Sequence, residues 1–108
     1  MKVYLKSKKN NIDAVGEFDP NTGSLTVLAG SKLCERIAVS RTFRAAKIIE
    51  KYREGIVING ILKKNVTFKS ASTAANFVTG NSTNGLVAWK TDDHETLKSI
   101  ISINKEGA

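Results

Sequence analysis

Among its 108 residues the chain has one cysteine, Cys34, one histidine, His94, one proline, Pro20, and one tryptophan, Trp89. Each scarcity removes a class of function. A single thiol allows no internal disulfide, which points to a reducing compartment and a cytoplasmic location. One cysteine and one histidine cannot supply the ligand spacing of a structural zinc site. Asp92, Asp93, His94 and Glu95 are consecutive, so their side chains diverge, and helix capping beside a surface histidine is the expected reading. A Ser–His–Asp triad would have to use His94, and nothing places a nucleophile beside it. Gly80 and Gly85 stand alone, outside any Walker A or dinucleotide glycine motif. No apolar run approaches the roughly 18–20 residues of a membrane helix. The opening MKVYLKSKKNNIDAVG is basic but lacks the apolar stretch of a secretory signal. The expectation is a protein that is not an enzyme, with no metal, cofactor or membrane span.

What the chain has in excess is positive charge. Seventeen Lys and Arg face ten Asp and Glu, a net charge of +7. A basic domain is the electrostatic footprint of a phosphate-backbone binder, although a basic solvated surface has the same composition. Lys2, Lys6, Lys8 and Lys9 precede the first acid, Asp13, and a second basic group runs Arg36, Arg41, Arg44, Lys47, Lys51, Arg53. The hydrophobic fraction of 41% and the length suit one domain with one core.

The periodicities predict an α+β fold: a small antiparallel sheet of about five to six strands with two to three helices packed on it. Val3 and Leu5 alternate with lysines in a short edge strand. Two alternating runs flank the turn DPNTG, placing Ala14, Gly16 and Phe18 on one hairpin face and Leu25, Val27 and Ala29 on the matching face. Lys32 to Ser40 reads as a loop holding Cys34 as a small buried thiol. Thr42 to Glu54 is predicted helical. Ala45, Ile48, Ile49 and Tyr52 form its apolar stripe, Ser40 or Thr42 its cap and Gly55 its stop. Asn59-Gly60 is a type I′ turn signal between strands Ile56–Ile58 and Ile61–Phe68.

The run FKSASTAANFVTGNSTNGLVAW, Phe68 to Trp89, is rich in small and polar residues. Ser70 or Ser72 is positioned to cap a helix whose Ala71, Ala74, Ala75 and Val78 recur on one face. Alanines there let the helix sit close to its neighbour. Gly80 is placed to end it, NSTNG follows as a loop, and Leu86–Trp89 reads as a short strand with Trp89 in the core. Asp92 or Asp93 is expected to cap a last helix carrying Leu97, Ile100 and Ile101. Lys69, Ser70, Ser72 and Thr73 gather at a helix N-terminus, where free N–H groups favour an anion; plain capping is the alternative. Ser72 reads as a cap rather than a nucleophile.

The same run resembles a small bacterial and archaeal domain of unknown function that is often appended to GIY-YIG nucleases. That domain is related in pattern to the restriction-enzyme and adenine-methylase associated (RAMA) domain. Phe68, Ser70, Ser72, Ala74, Ala75, Gly80, Asn84, Gly85 and Trp89 match its signature. Gly16-Glu17-Phe18, Gly30-Ser31 and Gly55-Ile56-Val57 resemble its upstream elements, so the likeness runs from about Ala14 to Leu97. Ala71 stands where the family has Pro, Thr73 where it often has Ala, and Leu86 where it has a first Trp; there is no GIY-YIG motif. The resemblance implies an antiparallel sheet with helices packed on it, and an accessory role in DNA-processing systems.

The leading expectation is therefore a non-catalytic, DNA-binding accessory domain of nuclease or restriction-modification context. Lys69, Ser70, Ser72 and Thr73 would hold a phosphate, Arg44, Lys47 and Lys51 would track the backbone, and Asn81, Asn84 and Trp89 would line a groove. The alternative is a protein-interaction module or inhibitor. It would engage a nuclease or methylase partner through the strand near Met1 or the NSTNG loop.

Overall fold

The computed structural model of the chain describes residues 1–37 and 46–101. The proposed caps Ser40 and Thr42, the stripe residue Ala45 and the backbone-tracking Arg44 lie outside the described residues. The elements run β1 (Lys2–Ser7), β2 (Ile12–Phe18), β3 (Leu25–Val27), α1 (Ala46–Arg53), β4 (Val57–Ile58), β5 (Ile61–Leu62), β6 (Val66–Phe68), α2 (Ala71–Thr79) and α3 (Gly85–Ala88). Residues 97–101 are helical again. The fold is α+β, with a four-stranded antiparallel sheet ordered β1-β2-β3-β6 and a separate two-stranded ribbon, β4-β5.

Alternation decides which face of the sheet is buried. Val3 and Leu5 of β1, Ile12, Ala14, Gly16 and Phe18 of β2, and Leu25 and Val27 of β3 all turn inward. Pairings Gly16–Val27 and Phe18–Leu25 set β2 and β3 in the register that the turn predicts. Gly23, at φ 79°, closes that turn, and Asp19 and Ser24 bond across its base. Ala29 is exposed instead of extending the buried face, because β3 ends at Val27. The Ala29 N–H turns to the side chain of Asn65. At the Gly30–Ser31 corner the buried Ser31 hydroxyl both accepts from Val15 N–H and donates to Val15 C=O.

Helix α2 lies on this face, burying Ala71, Ala74, Ala75, Phe77 and Val78. Its small side chains bring the helix close to the strands, and Trp89 fills the space beside Gly16. Ser70 caps its start and Gly80, at φ 69°, its end, as predicted. Phe68, Phe77 and Leu62 complete the core.

Four local expectations are corrected. Leu86–Trp89 is not a strand: Gly85–Ala88 forms the single helical turn α3 and Trp89 is its C-cap. The Asn84 side chain accepts from Leu86 N–H, and this local capping bond wins over the β-propensity of Leu-Val. Only Lys90 reaches extended pairing, exchanging two hydrogen bonds with Tyr4 across the outer side of β1. Ile61–Phe68 is not one strand, because Lys63-Lys64-Asn65 separates β5, paired with β4, from β6, paired with β3. The apolar stripe of α1 is only half real: Ile48 is 59% exposed and Tyr52 51%, while Ile49 and Arg53 face inward. Finally, Asp92 and Asp93 occupy a turn before His94 (φ 65°), and Thr96 caps the last helix by accepting from Ser99 N–H.

Cys34 is partly buried against the core. Among the described residues no helix is long and apolar enough to cross a membrane, and no three His, Cys, Asp or Glu side chains cluster as metal ligands would.

Candidate nucleic-acid interface

The hydroxyls and amides of the 68–89 run are largely spent on the fold. Ser70 Oγ accepts from Thr73 N–H at 3.1 Å and shares a hydrogen bond with Thr73 Oγ1. Ser72 Oγ accepts from Gly85 N–H at 3.0 Å, tying the first turn of α2 to α3. Asn76 Oδ1 accepts from Thr83 N–H, Asn81 Oδ1 from Ser82 N–H and Asn84 Oδ1 from Leu86 N–H. Thr79 Oγ1 donates back to Ala75 C=O and bonds Thr83 Oγ1. Short polar side chains satisfy the backbone groups that helix ends and tight loops leave open.

The loop after α2 doubles back, so Asn84 returns to the Ser70–Thr73 end of the helix. Asn81 stays near the other end, separated by the length of α2, roughly 13 Å for nine residues. The structure thus brings Ser70, Ser72, Thr73 and Asn84 together beside Lys69 and leaves Asn81 apart. Lys69, Ser70, Thr73 and Asn84 are exposed, and Ser72 is half-buried.

Lys47 and Lys51 lie one turn apart on the exposed side of α1. They line an open cleft of about 640 Å³ together with Arg53, Glu35, Glu50 and Glu54. Three carboxylates interleave with the cations there, which tempers the local potential. An aromatic contact links α1 to the end of β6, just before α2. Tyr52 meets Phe68 edge-on, ring centres 5.7 Å apart, and Lys69 follows Phe68 directly. The contact brings together two segments that each carry an exposed lysine, Lys51 beside Tyr52 and Lys69 beside Phe68.

Arg53, which the sequence places among the solvated cations, is only 8% exposed. Its guanidinium donates to the carbonyls of Phe77 and Val78, in the last turn of α2, and to Cys34 C=O at 2.6 Å. The negative end of the α2 dipole and three carbonyls stand in for a carboxylate. Loss of water lowers the Arg53 pKa from its ordinary value, and the neighbouring Cys34 opposes that shift. A planar fork can serve carbonyls on two segments at once; a lysine ammonium is a point donor on a different stem. Arg53→Lys is expected to cost about 1–3 kcal/mol, the penalty of a buried carbonyl left unpaired. Urea unfolding followed by circular dichroism measures it, and an unchanged midpoint would refute the clamp. The residue's one sequence signal is its i+4 spacing from Ile49, easily mistaken for a charge beside the apolar stripe.

No curated protein and no solved structure matches the chain. A family model does: that of the domain of unknown function DUF4357, over residues 3–101. The match begins one residue into β1 and takes in the rest of the sheet and all three named helices, and the chain belongs to the DUF4357 family.

Proposed function

We propose that the protein is a non-catalytic accessory domain that binds duplex DNA. The row of exposed lysines on α1, Lys47 and Lys51 one turn apart, carries this reading, and the exposed Lys69 follows the Phe68 that Tyr52 touches. Phosphates would lie along Lys47, Lys51 and Lys69, with Ser70, Thr73 and Asn84 beside them as further polar contacts. The net charge of +7 supports the same ligand. The sequence likeness to domains appended to GIY-YIG nucleases and to RAMA domains supports a nuclease or restriction-modification context. The single cysteine supports a reducing, cytoplasmic setting.

Fluorescence anisotropy with labelled duplex at several salt concentrations tests the reading. A dissociation constant on the order of 10⁻⁴ to 10⁻⁶ M at physiological salt is expected. Lys51→Glu with Lys69→Glu should weaken binding and flatten the salt dependence by about one unit of slope per lost phosphate contact. Absence of binding even at low salt would end the duplex-DNA reading.

One observation favours a protein partner instead. Ile48 and Tyr52 are exposed one turn apart on α1, and Leu86 and Val87 are exposed on α3. Retention of a nuclease or methylase partner that is lost in Ile48→Glu, with no DNA binding, would decide for this reading.

A further inference from the structure

The second face of the sheet, opposite α2, carries a feature that the duplex reading does not use. Lys2, Tyr4 and Lys6 alternate on this side of β1 while Val3 and Leu5 point to the core. The Tyr4–Lys90 bridge sets Lys90 directly across from Tyr4, and opposed residues of an antiparallel pair share a face. The Lys6 ammonium lies over the Tyr4 ring, 5.4 Å from its centre. Asp13 is the cross-strand partner of Lys6, yet the one ion pair among the described residues joins the N-terminal amine to Glu17. Tyr4, Lys6, Ala88, Lys90, Thr91, Asp92 and His94 surround a cleft of about 520 Å³. Tyr4 also borders a second cleft, on whose rim stand Lys2, Asp93 and Glu95. Tyr4, Thr91 and Asp92 border both clefts.

We propose that the cleft of Tyr4, Lys6 and Lys90 binds single-stranded nucleic acid, one unpaired base taking the place of the Lys6 ammonium over the Tyr4 ring and its flanking phosphates drawing Lys6 and Lys90 to themselves. An aromatic ring beside cations is the element that single-strand binders repeat, since every base offers a π-face and every linkage a charge. The volume falls within the ordinary range for a small-molecule-sized pocket. Duplex DNA offers no free base face to a half-buried ring set in a recess. Asp92 faces the same space and accepts hydrogen bonds, so it suits the amino groups or sugar hydroxyls of a strand and disfavours a bare anion. His94, held in its left-handed conformation by the Thr91–Glu95 turn, closes one side.

The test is anisotropy of labelled oligothymidine of about 12 nucleotides at low salt, run beside labelled duplex. The wild-type chain is expected to bind the single strand. Tyr4→Leu, which keeps an apolar side chain of similar reach, should weaken it about tenfold, the scale of one lost stacking contact. Lys6→Gln with Lys90→Gln, both at exposed positions, should weaken it as well and reduce its salt dependence. These two should not disturb the fold, so they decide the matter even where Tyr4→Leu unfolds. Lys63→Gln with Lys64→Gln, two exposed lysines between β5 and β6 that line neither site, should weaken oligothymidine binding far less, which separates this cleft from the general positive charge. Failure to bind oligothymidine would overturn the proposal. So would binding that ignores the Lys6 and Lys90 changes, or that falls as much with the Lys63 and Lys64 changes.

Discussion

Gly85→Ala is expected to destabilise the protein by about 3 kcal/mol or more, the upper end of the cost of forcing atoms into a filled space. A methyl group at Gly85 would overlap the carbonyl of Ala71 and the backbone nitrogen of Ser72. Those are main-chain atoms of the first turn of α2, so no side chain can swing aside. Relief requires α3 to move off α2, which breaks the Gly85 N–H bond to Ser72 Oγ and the Trp89 Nε1–H bond to Ala71 C=O. Urea unfolding monitored by circular dichroism should show a large fall in midpoint with little change in slope. A variant within about 1 kcal/mol of the wild type would mean that this close approach is not obligatory. The polar Asn84-Gly85 pair would then be a turn like any other.

Trp89→Ala is expected to cost about 3–5 kcal/mol, the usual range for emptying a large aromatic site. The side chain is fully buried. It contacts the sheet beside Gly16 and donates its indole N–H to Ala71 C=O at 3.1 Å. Removal leaves a cavity and takes away the indole hydrogen bond, while Ala71 C=O keeps its bond within α2. Trp89→Phe separates the two terms: it keeps most of the volume, so its expected loss is nearer the roughly 0.5–1.5 kcal/mol of one hydrogen bond. Thermal melts of the two variants by circular dichroism give the comparison. Equal losses would show that the packing is worth little beside the hydrogen bond, and a negligible loss in Trp89→Phe would show the reverse. A domain of this size holds only about 5–15 kcal/mol in total, so Trp89→Ala approaches the threshold of folding.

The sheet was largely legible because alternation is a direct record of burial. Val3, Leu5, Ala14, Gly16, Phe18, Leu25 and Val27 declare their face two residues at a time, and Pro20, Gly23 and Asn59-Gly60 mark the reversals. The ends of α2 were legible for the same reason, since Ser70 and Gly80 act through their own backbone neighbours. Where the outcome depends on distant groups, the local pattern misleads. Leu86-Val87-Ala88-Trp89 has strand composition, but Asn84 and the reach of Gly85 to Ser72 make it a helical turn. Ile48 and Arg53 exchange their expected places because the carbonyl end of α2 needs a donor, and nothing near Arg53 in sequence reveals that need. The candidate site divides in the same way. The gathering of Lys69, Ser70, Ser72 and Thr73 is written in one short segment. The Tyr52–Phe68 contact and the Tyr4–Lys90 pair unite residues 16 and 86 positions apart, and no spacing rule announces either.

The antiparallel Tyr4–Lys90 pair also decides how the molecule would respond to being pulled. Antiparallel pairing sets Met1 and Asp92 toward the same end of the β1–Lys90 contact, and the Lys90–Thr96 bridge folds the chain back once more. Tension between Met1 and Leu97 would therefore peel these hydrogen bonds apart in succession, as a zipper opens, instead of loading them all in shear. The outer edge of β1 is the mechanically soft seam of the domain. A load transmitted through the chain would open it there first, while the α2–α3 corner around Trp89 remained closed.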